Sequence, residues 1–232
     1  MRIMVLAAGR GSRLAPLTDV CPKPLLDVGG CSLLQRVLLQ AQAADFSAAV
    51  INVSWLGEQI RQAVADWPLA MPVEFSLELE QRLETGGGIR QALPLLGDGL
   101  FAVVNADVLT DFALQRLIQS AGNWKEGDLA HLVLVPNPAH HPQGDFGLTD
   151  GRVSNQRDYT FAGMSVLHPS LFANAPEEKA FALAPLLREA IDAGRVSGEL
   201  HTGYWNDVGT PQRLDAARLA VASLHSLISS HQ

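Results

Sequence analysis

Two glycines, an arginine and a lysine near the start of the chain have the types and spacing to hold a polyphosphate. In Gly9-Arg10-Gly11-Ser12-Arg13, missing side chains let backbone N–H groups close around an anion, and Arg13 follows the second Gly by two residues. Lys23 stands between Pro22 and Pro24. A tight turn, a fork-shaped cation and a point cation form a natural phosphate grip. Two familiar phosphate loops do not fit. The dinucleotide fingerprint wants a third Gly where Leu14 stands, with a helix starting at once, whereas Pro16 follows. The Walker A loop needs Gly-Lys-Ser/Thr, and Lys23 follows Pro22 instead.

Two carboxylates form a second set. Asp107, in Val104-Asn105-Ala106-Asp107-Val108, comes directly off an apolar strand, at the end where open α/β sheets bind ligands. Asp207 precedes Val208-Gly209-Thr210, and Thr210 is a natural N-cap for a last helix. An Asp in either place also serves as a turn or cap residue. Brought together by the fold, the pair suits Mg²⁺, which takes one or two protein oxygens plus phosphate and water.

Glycines mark two further stretches. Leu83-Glu84-Thr85-Gly86-Gly87-Gly88-Ile89 reads as a flexible turn leading into a helix, or as backbone that lies flat against a base. Gly144-Asp145-Phe146-Gly147 and Phe161-Ala162-Gly163-Met164 place Gly where a sugar ring could press on the chain, though a β-bulge also accounts for a strand Gly. His131, His140 and His141 have no zinc-like spacing, and the 140–141 pair reads as a solvent-facing loop. Trp55, Trp67, Trp124 and Trp205 are too scattered for a stacking platform and read as packing residues.

Apolar strands alternating with amphipathic helical patterns must position these groups, which implies an α/β fold with a mixed, mostly parallel sheet. Strands are expected at Ile3–Ala8, Ala48–Val53, Val73–Leu79, Phe101–Asn105, Leu129–Val135, Phe146–Val153 and Tyr159–Leu167. Helices are expected after the Ser32 cap and at Leu56–Asp66, Phe181–Ala193 and Asp215–Ile228. No linker or repeat divides the 232 residues, so one domain is expected. Its nucleotide half would be about 1–110 and its sugar-phosphate half about 111–232.

Composition narrows the partners. A net charge of −7 and a pI near 5.4 argue against nucleic acid. No apolar run approaches the roughly 18 residues of a membrane span, and no signal pattern opens the chain. Two cysteines, Cys21 and Cys31, fit a reduced cytoplasmic protein rather than a disulfide framework.

The long string LAAGRGSRLAPLT followed by PKPLLDVGG resembles the signature of sugar-1-phosphate nucleotidyltransferases. LETGGG and WNDVGT extend the similarity, and the LETGGG form looks like the uridylyltransferase branch. With INVSWLGEQI, ALPLLGD, HLVLVPNPAHHPQGDF, GMSVLHPSLF and FALAPLL, nearly the whole chain resembles the members that act on N-acetylmuramic acid α-1-phosphate in cell-wall recycling. The resemblance implies a Rossmann-like fold of the nucleotidyltransferase type and transfer from UTP to a sugar 1-phosphate, with Mg²⁺ as cofactor. Guanylyl or thymidylyl transfer to a hexose 1-phosphate, and a non-catalytic nucleotide-sugar-binding regulator, are the alternatives. It places Ala7, Ala8, Gly9, Gly11, Ser12 and Arg13 at the nucleotide, together with Lys23, Thr85, Gly86, Gly87 and Asn105. Arg13 and Lys23 are the implied catalytic cations, and Asp107 and Asp207 the metal ligands. Asp145, Gly147 and Gly163 are the implied sugar-phosphate contacts, while Ala182 stands where the family carries Lys. A monomer or weak homo-oligomer is expected. A sugar 1-phosphate is already anionic, so the implied attack on the α-phosphate needs no general base.

Overall fold

The segment Arg2–Leu6 forms β1, which begins one residue before the expected Ile3–Ala8 run and ends two residues before its end, and it lies between two parallel neighbours. The computed structural model describes residues 1–78 and 82–229. The other strands are β2 (Ala49–Val53), β3 (Val73–Leu77), β4 (Phe101–Asn105), β5 (Val108–Thr110), β6 (Ala130–Pro136), β7 (Phe146–Thr149), β8 (Arg152–Leu167), β9 (Val196–Leu200) and β10 (Trp205–Asp207). The helices are α1 (Leu17–Val20), α2 (Leu33–Ala43), α3 (Gly57–Ala65), α4 (Glu84–Leu96), α5 (Gln115–Gly122), α6 (Leu183–Asp192) and α7 (Pro211–Ser229).

The main sheet runs β3-β2-β1-β4-β8-β6-β9, with β7 paired to β8. Its β3-β2-β1-β4 side is parallel, whereas β8 pairs antiparallel with β4 and β6. The mixed sheet is therefore as expected, and it makes the chain one domain. The order reverses at β1, so the carboxyl ends of β1 and β4 open a crevice beside each other.

Alternation along the strands sends side chains into two cores. Ile3 and Val5 join Leu34, Leu38, Ile51 and Ile60, which lets α2 and α3 cover one face. Met4, Phe101 and Val103 join Ile89 and Leu187 under α4 and α6 on the other. Full burial of each such side chain is worth about 1.5–3 kcal/mol, so these faces fix the strand register. A third cluster joins Leu14, Leu26 and Val28 to Val208, Leu214 and Val221. It seats α7 beneath the Gly9–Lys23 segment. Thr210 Oγ1 caps α7 by accepting from Arg213 N at 3.3 Å, and Ser32 Oγ caps α2 by accepting from Gln35 N at 3.2 Å.

Three expectations change. Phe146–Val153 and Tyr159–Leu167 are not two independent strands: β7 ends at Thr149, and β8 runs unbroken through the 16 residues from Arg152 to Leu167. The turn is Asp150-Gly151, both at positive φ (49° and 74°), the hairpin geometry that a two-residue Asp-Gly loop favours. The helix expected from Phe181 begins at Leu183, because the Phe181 carbonyl is taken by Gly86 and Gly87 N–H groups. The Gly triplet lies inside α4 rather than ahead of it. The expected strand end at Leu79 lies outside the described residues. The short β5, β9 and β10 and helix α5 were not anticipated. No helix among the described residues is long and apolar enough to cross a membrane.

Candidate active site

The end of β1 and the loop after it open onto a cavity of about 470 Å³, whose wall includes Ala7, Ala8, Gly9, Gly11, Ser12 and Arg13. Lys23, Thr85, Asn105 and Asp107 complete the expected residues found there, and Arg10, Arg82 and Glu84 join them. Gly11 sits at φ +69°, where a Cβ would press on Lys23 and Thr18, so the turn and the lysine are packed together. Thr18 Oγ1 donates to the Gly11 carbonyl at 2.9 Å and ties the loop to α1.

Two groups that the sequence reading missed set the rear wall. Asn52 and Glu78 are polar side chains almost wholly buried, at 3% and 4% exposure. Asn52 Oδ1 accepts from Ala7 N at 2.8 Å, and its Nδ2 donates to Glu78 Oε1 at 2.7 Å. Glu78 Oε2 in turn accepts from Leu83 N at 2.9 Å. This chain couples the exit of β1 to the start of α4 across the cavity. Its only signal in the sequence was one polar residue, Asn52, inside an otherwise apolar strand.

A second cavity of about 300 Å³ adjoins the first, and Arg13, Asn105 and Asp107 line both. Asp207, Gly163, Trp205, His140 and His141 also line it. The small β5–β10 ladder brings the two expected metal ligands together: Asp207 is in register with Val108, and Val208 N donates to the Asp107 carbonyl at 2.8 Å. Gly163, at φ +73°, has no room for a side chain, because a Cβ would come 2.5 Å from Asn105 Nδ2. It lets Asn105 stand where the cavities join.

Each carboxylate has a cation beside it. Lys23 Nζ donates to Asp107 Oδ2, and Asp207 Oδ1 lies 2.6 Å from Arg213 Nη1 and 3.0 Å from His140 Nε2. The other oxygen of each carboxylate has no hydrogen-bond partner among the described residues. Two half-free carboxylates, Asp107 in the turn before β5 and Asp207 on its partner β10, line one polar cavity and fit a hard divalent cation that also binds phosphate. Arg13 has no ion-pair or hydrogen-bond partner among the described residues, so its guanidinium is open to an anion in either cavity.

Other expected contacts lie elsewhere. Gly86 and Gly87 line neither cavity; a Cβ would strike the Phe181 ring at 2.5 Å from the first and the Lys179 carbonyl oxygen at 2.1 Å from the second. They are small because α4 packs directly on the 179–181 backbone. Gly147 faces Ser154 across the β7–β8 pair. Asp145 stands behind the second cavity, where it accepts from Phe161 N at 2.9 Å and holds His141 Nε2 at 3.0 Å. These contacts tie it to two residues of the cavity wall. His140 is solvent-exposed and His141 partly so, as expected, and they also border the carboxylate site. Trp205 packs as expected and donates to the Ala162 carbonyl at 3.0 Å, whereas Trp55 is partly exposed and lies against Arg10 of the first cavity's wall. Ala182 is the exposed N-cap residue of α6.

The N-acetylmuramate alpha-1-phosphate uridylyltransferase of Neisseria meningitidis serogroup B is 45% identical over 224 residues, covering 94% of this chain and 97% of that protein. The protein of the same description from Caulobacter vibrioides is 32% identical, covering 94% and 96%. The crystal structure of HddC from Yersinia pseudotuberculosis complexed with GMP-PN superposes with a TM-score of 0.78 at 20% identity, covering 95% of this chain and 99% of that one, a likeness of fold. The model of the nucleotidyl transferase family matches residues 2–223, and the chain belongs to that family.

Proposed function

We propose that the chain transfers the uridylyl group of UTP to N-acetylmuramic acid α-1-phosphate, giving UDP-N-acetylmuramic acid and pyrophosphate. The observation that carries this reading is the meeting of two polar cavities at Arg13, Asn105 and Asp107. A nucleotide in the first and a sugar phosphate in the second would present their phosphates to the same side chains. The base and the sugar rest on the two relatives that carry the uridylyltransferase description.

In this reading an oxygen of the sugar phosphate forms a bond to the α-phosphorus while the α–β bridging P–O bond breaks and its electron pair leaves with pyrophosphate. No proton need move. The protein therefore contributes alignment and charge neutralisation. Arg13 holds the departing pyrophosphate, and Lys23, fixed by Asp107, faces the reacting phosphate. Asp107 and Asp207 would hold Mg²⁺, which when bound neutralises charge on the phosphate oxygens. Gly9, with open space beside it, and Ser12 offer backbone and hydroxyl groups to the phosphates. Thr85 borders the same cavity further along the wall. The first cavity draws nearly all its wall from residues before 110 and the second most of its wall from later ones, which supports nucleotide and sugar-phosphate halves. The two free thiols support a cytoplasmic setting.

The test is pyrophosphate release with Mg²⁺ over a grid of four nucleoside triphosphates and several sugar 1-phosphates. Turnover with UTP and N-acetylmuramic acid α-1-phosphate is expected to exceed every other pair. Preference for GTP or dTTP with a hexose 1-phosphate would keep the chemistry and discard the substrates. Nucleotide binding without turnover on any pair would overturn the catalytic reading.

A further inference from the structure

Arg10 belongs to the phosphate loop yet has no role in the chemistry above. Its guanidinium lies 4.5 Å from the centre of the Trp55 ring, and its side chain lines the first cavity. The ring is itself held: Trp55 Nε1 donates to the Thr18 carbonyl at 2.9 Å, and Thr18 Oγ1 donates to the Gly11 carbonyl at 2.9 Å. A continuous series of contacts thus runs from Gly11 through Thr18 and Trp55 back to Arg10. Stacking on an aromatic face occupies the plane of a guanidinium and leaves its N–H edge available to an anion. Its one ion-pair partner among the described residues, Asp19, is 3.7 Å away, and both partners are at least half exposed, so this pair binds the arginine weakly.

Charge supply in the loop makes this placement informative. Lys23 is engaged by Asp107. Within the Gly9–Lys23 segment, Arg13 and Arg10 are therefore the two guanidinium groups that can turn an N–H edge to a ligand. A departing pyrophosphate gains charge as the α–β bond breaks, and a second positioned cation would stabilise it.

We propose that Arg10 is a second arginine for the pyrophosphate leaving group, and that Trp55 is the positioning residue that holds it over the cavity. The inference rests on reading the first cavity as the nucleotide site. Arg10 binds only the β,γ end of the triphosphate, so it acts on UTP and pyrophosphate and leaves the sugar phosphate alone.

Calorimetric titrations of Mg²⁺-pyrophosphate, UTP and N-acetylmuramic acid α-1-phosphate into wild-type protein, Arg10→Gln, Trp55→Leu and Trp55→Phe test this. Loss of charge-assisted hydrogen bonds in Arg10→Gln is expected to weaken pyrophosphate and UTP by about tenfold or more, with sugar-phosphate affinity unchanged. Trp55→Leu removes the ring and is expected to weaken pyrophosphate about two- to fivefold, while Trp55→Phe keeps a ring face and stays close to wild type. Wild-type binding of both nucleotide and pyrophosphate, with Arg10→Gln within twofold of it, would overturn the proposal and leave the site reading intact. Equal weakening of all three ligands in Arg10→Gln would overturn it too, as a general field effect. A wild-type protein that binds neither UTP nor pyrophosphate would overturn the site reading and the proposal together.

Discussion

Lys23 Nζ donates to Asp107 Oδ2 although the two residues are 84 positions apart in the chain. One comes from the loop after β1 and the other from the end of β4, so the switch point of the sheet is what joins them. The lysine side chain is only 11% exposed, against 30% for the aspartate, which makes this a sheltered pair beside open cavity. Such a pair holds both groups in place ahead of substrate, which is what positioned charge in a transfer site requires.

Asp107→Ala is expected to lower turnover by at least about a hundredfold, and Lys23→Met by a similar factor, because each removes positioned charge at the reacting phosphates. Circular dichroism should report a folded protein in both. Near-normal turnover of folded Asp107→Ala would refute the assignment of the carboxylate to the reaction.

Asn52→Ala strips the partner from Ala7 N and from Glu78 Oε1 at once. Leaving such buried groups unpaired costs about 1–3 kcal/mol each, so the urea midpoint is expected to fall. Because Ala7 forms cavity wall, KM for UTP is expected to rise as well. A fall in stability with unchanged KM would confine the chain to a structural role.

Gly87→Ala separates packing from base recognition. The added methyl would meet the Lys179 carbonyl oxygen, and overpacking of this kind costs about 1–3 kcal/mol. The expected result is a lower urea midpoint, with little change in UTP affinity for the molecules that remain folded. A large loss of UTP affinity at unchanged stability would return Gly87 to the nucleobase.

Acid stability should follow Glu199. Burial works to raise this carboxyl, but the His131 hydrogen bond and the Arg116 guanidinium outweigh it and hold the group below its ordinary value near 4.5. With the folded value the lower one, the unfolded chain binds the proton first as pH falls. The stabilisation is therefore present above about pH 4.5 and is lost as pH drops through the folded value. Urea midpoints measured from pH 6 to pH 3 are expected to fall less steeply for Glu199→Gln than for wild type. Equal slopes would show that other carboxylates govern the acid limb.

The sequence by itself determined the mixed, mostly parallel sheet and pointed to the charged residues proposed for the site. The run Ile3–Ala8 and the segment Phe101–Asn105 announce buried strands, and Gly11, Arg13, Lys23, Asp107 and Asp207 stand in motifs whose residue types suggest their chemistry. Whether a glycine exists to admit a ligand or to admit another part of the chain is different in kind, because the answer depends on what packs against it. Gly163 clears space for Asn105 in the cavity wall, whereas Gly86 and Gly87 clear space for residues 179–181. Likewise Asn52 becomes a site residue only because β2 lies beside β1, and His140 only because its loop folds over Asp207. These pairings join residues remote in sequence. Tertiary structure alone decided them, since burial and contact are properties of the assembled sheet.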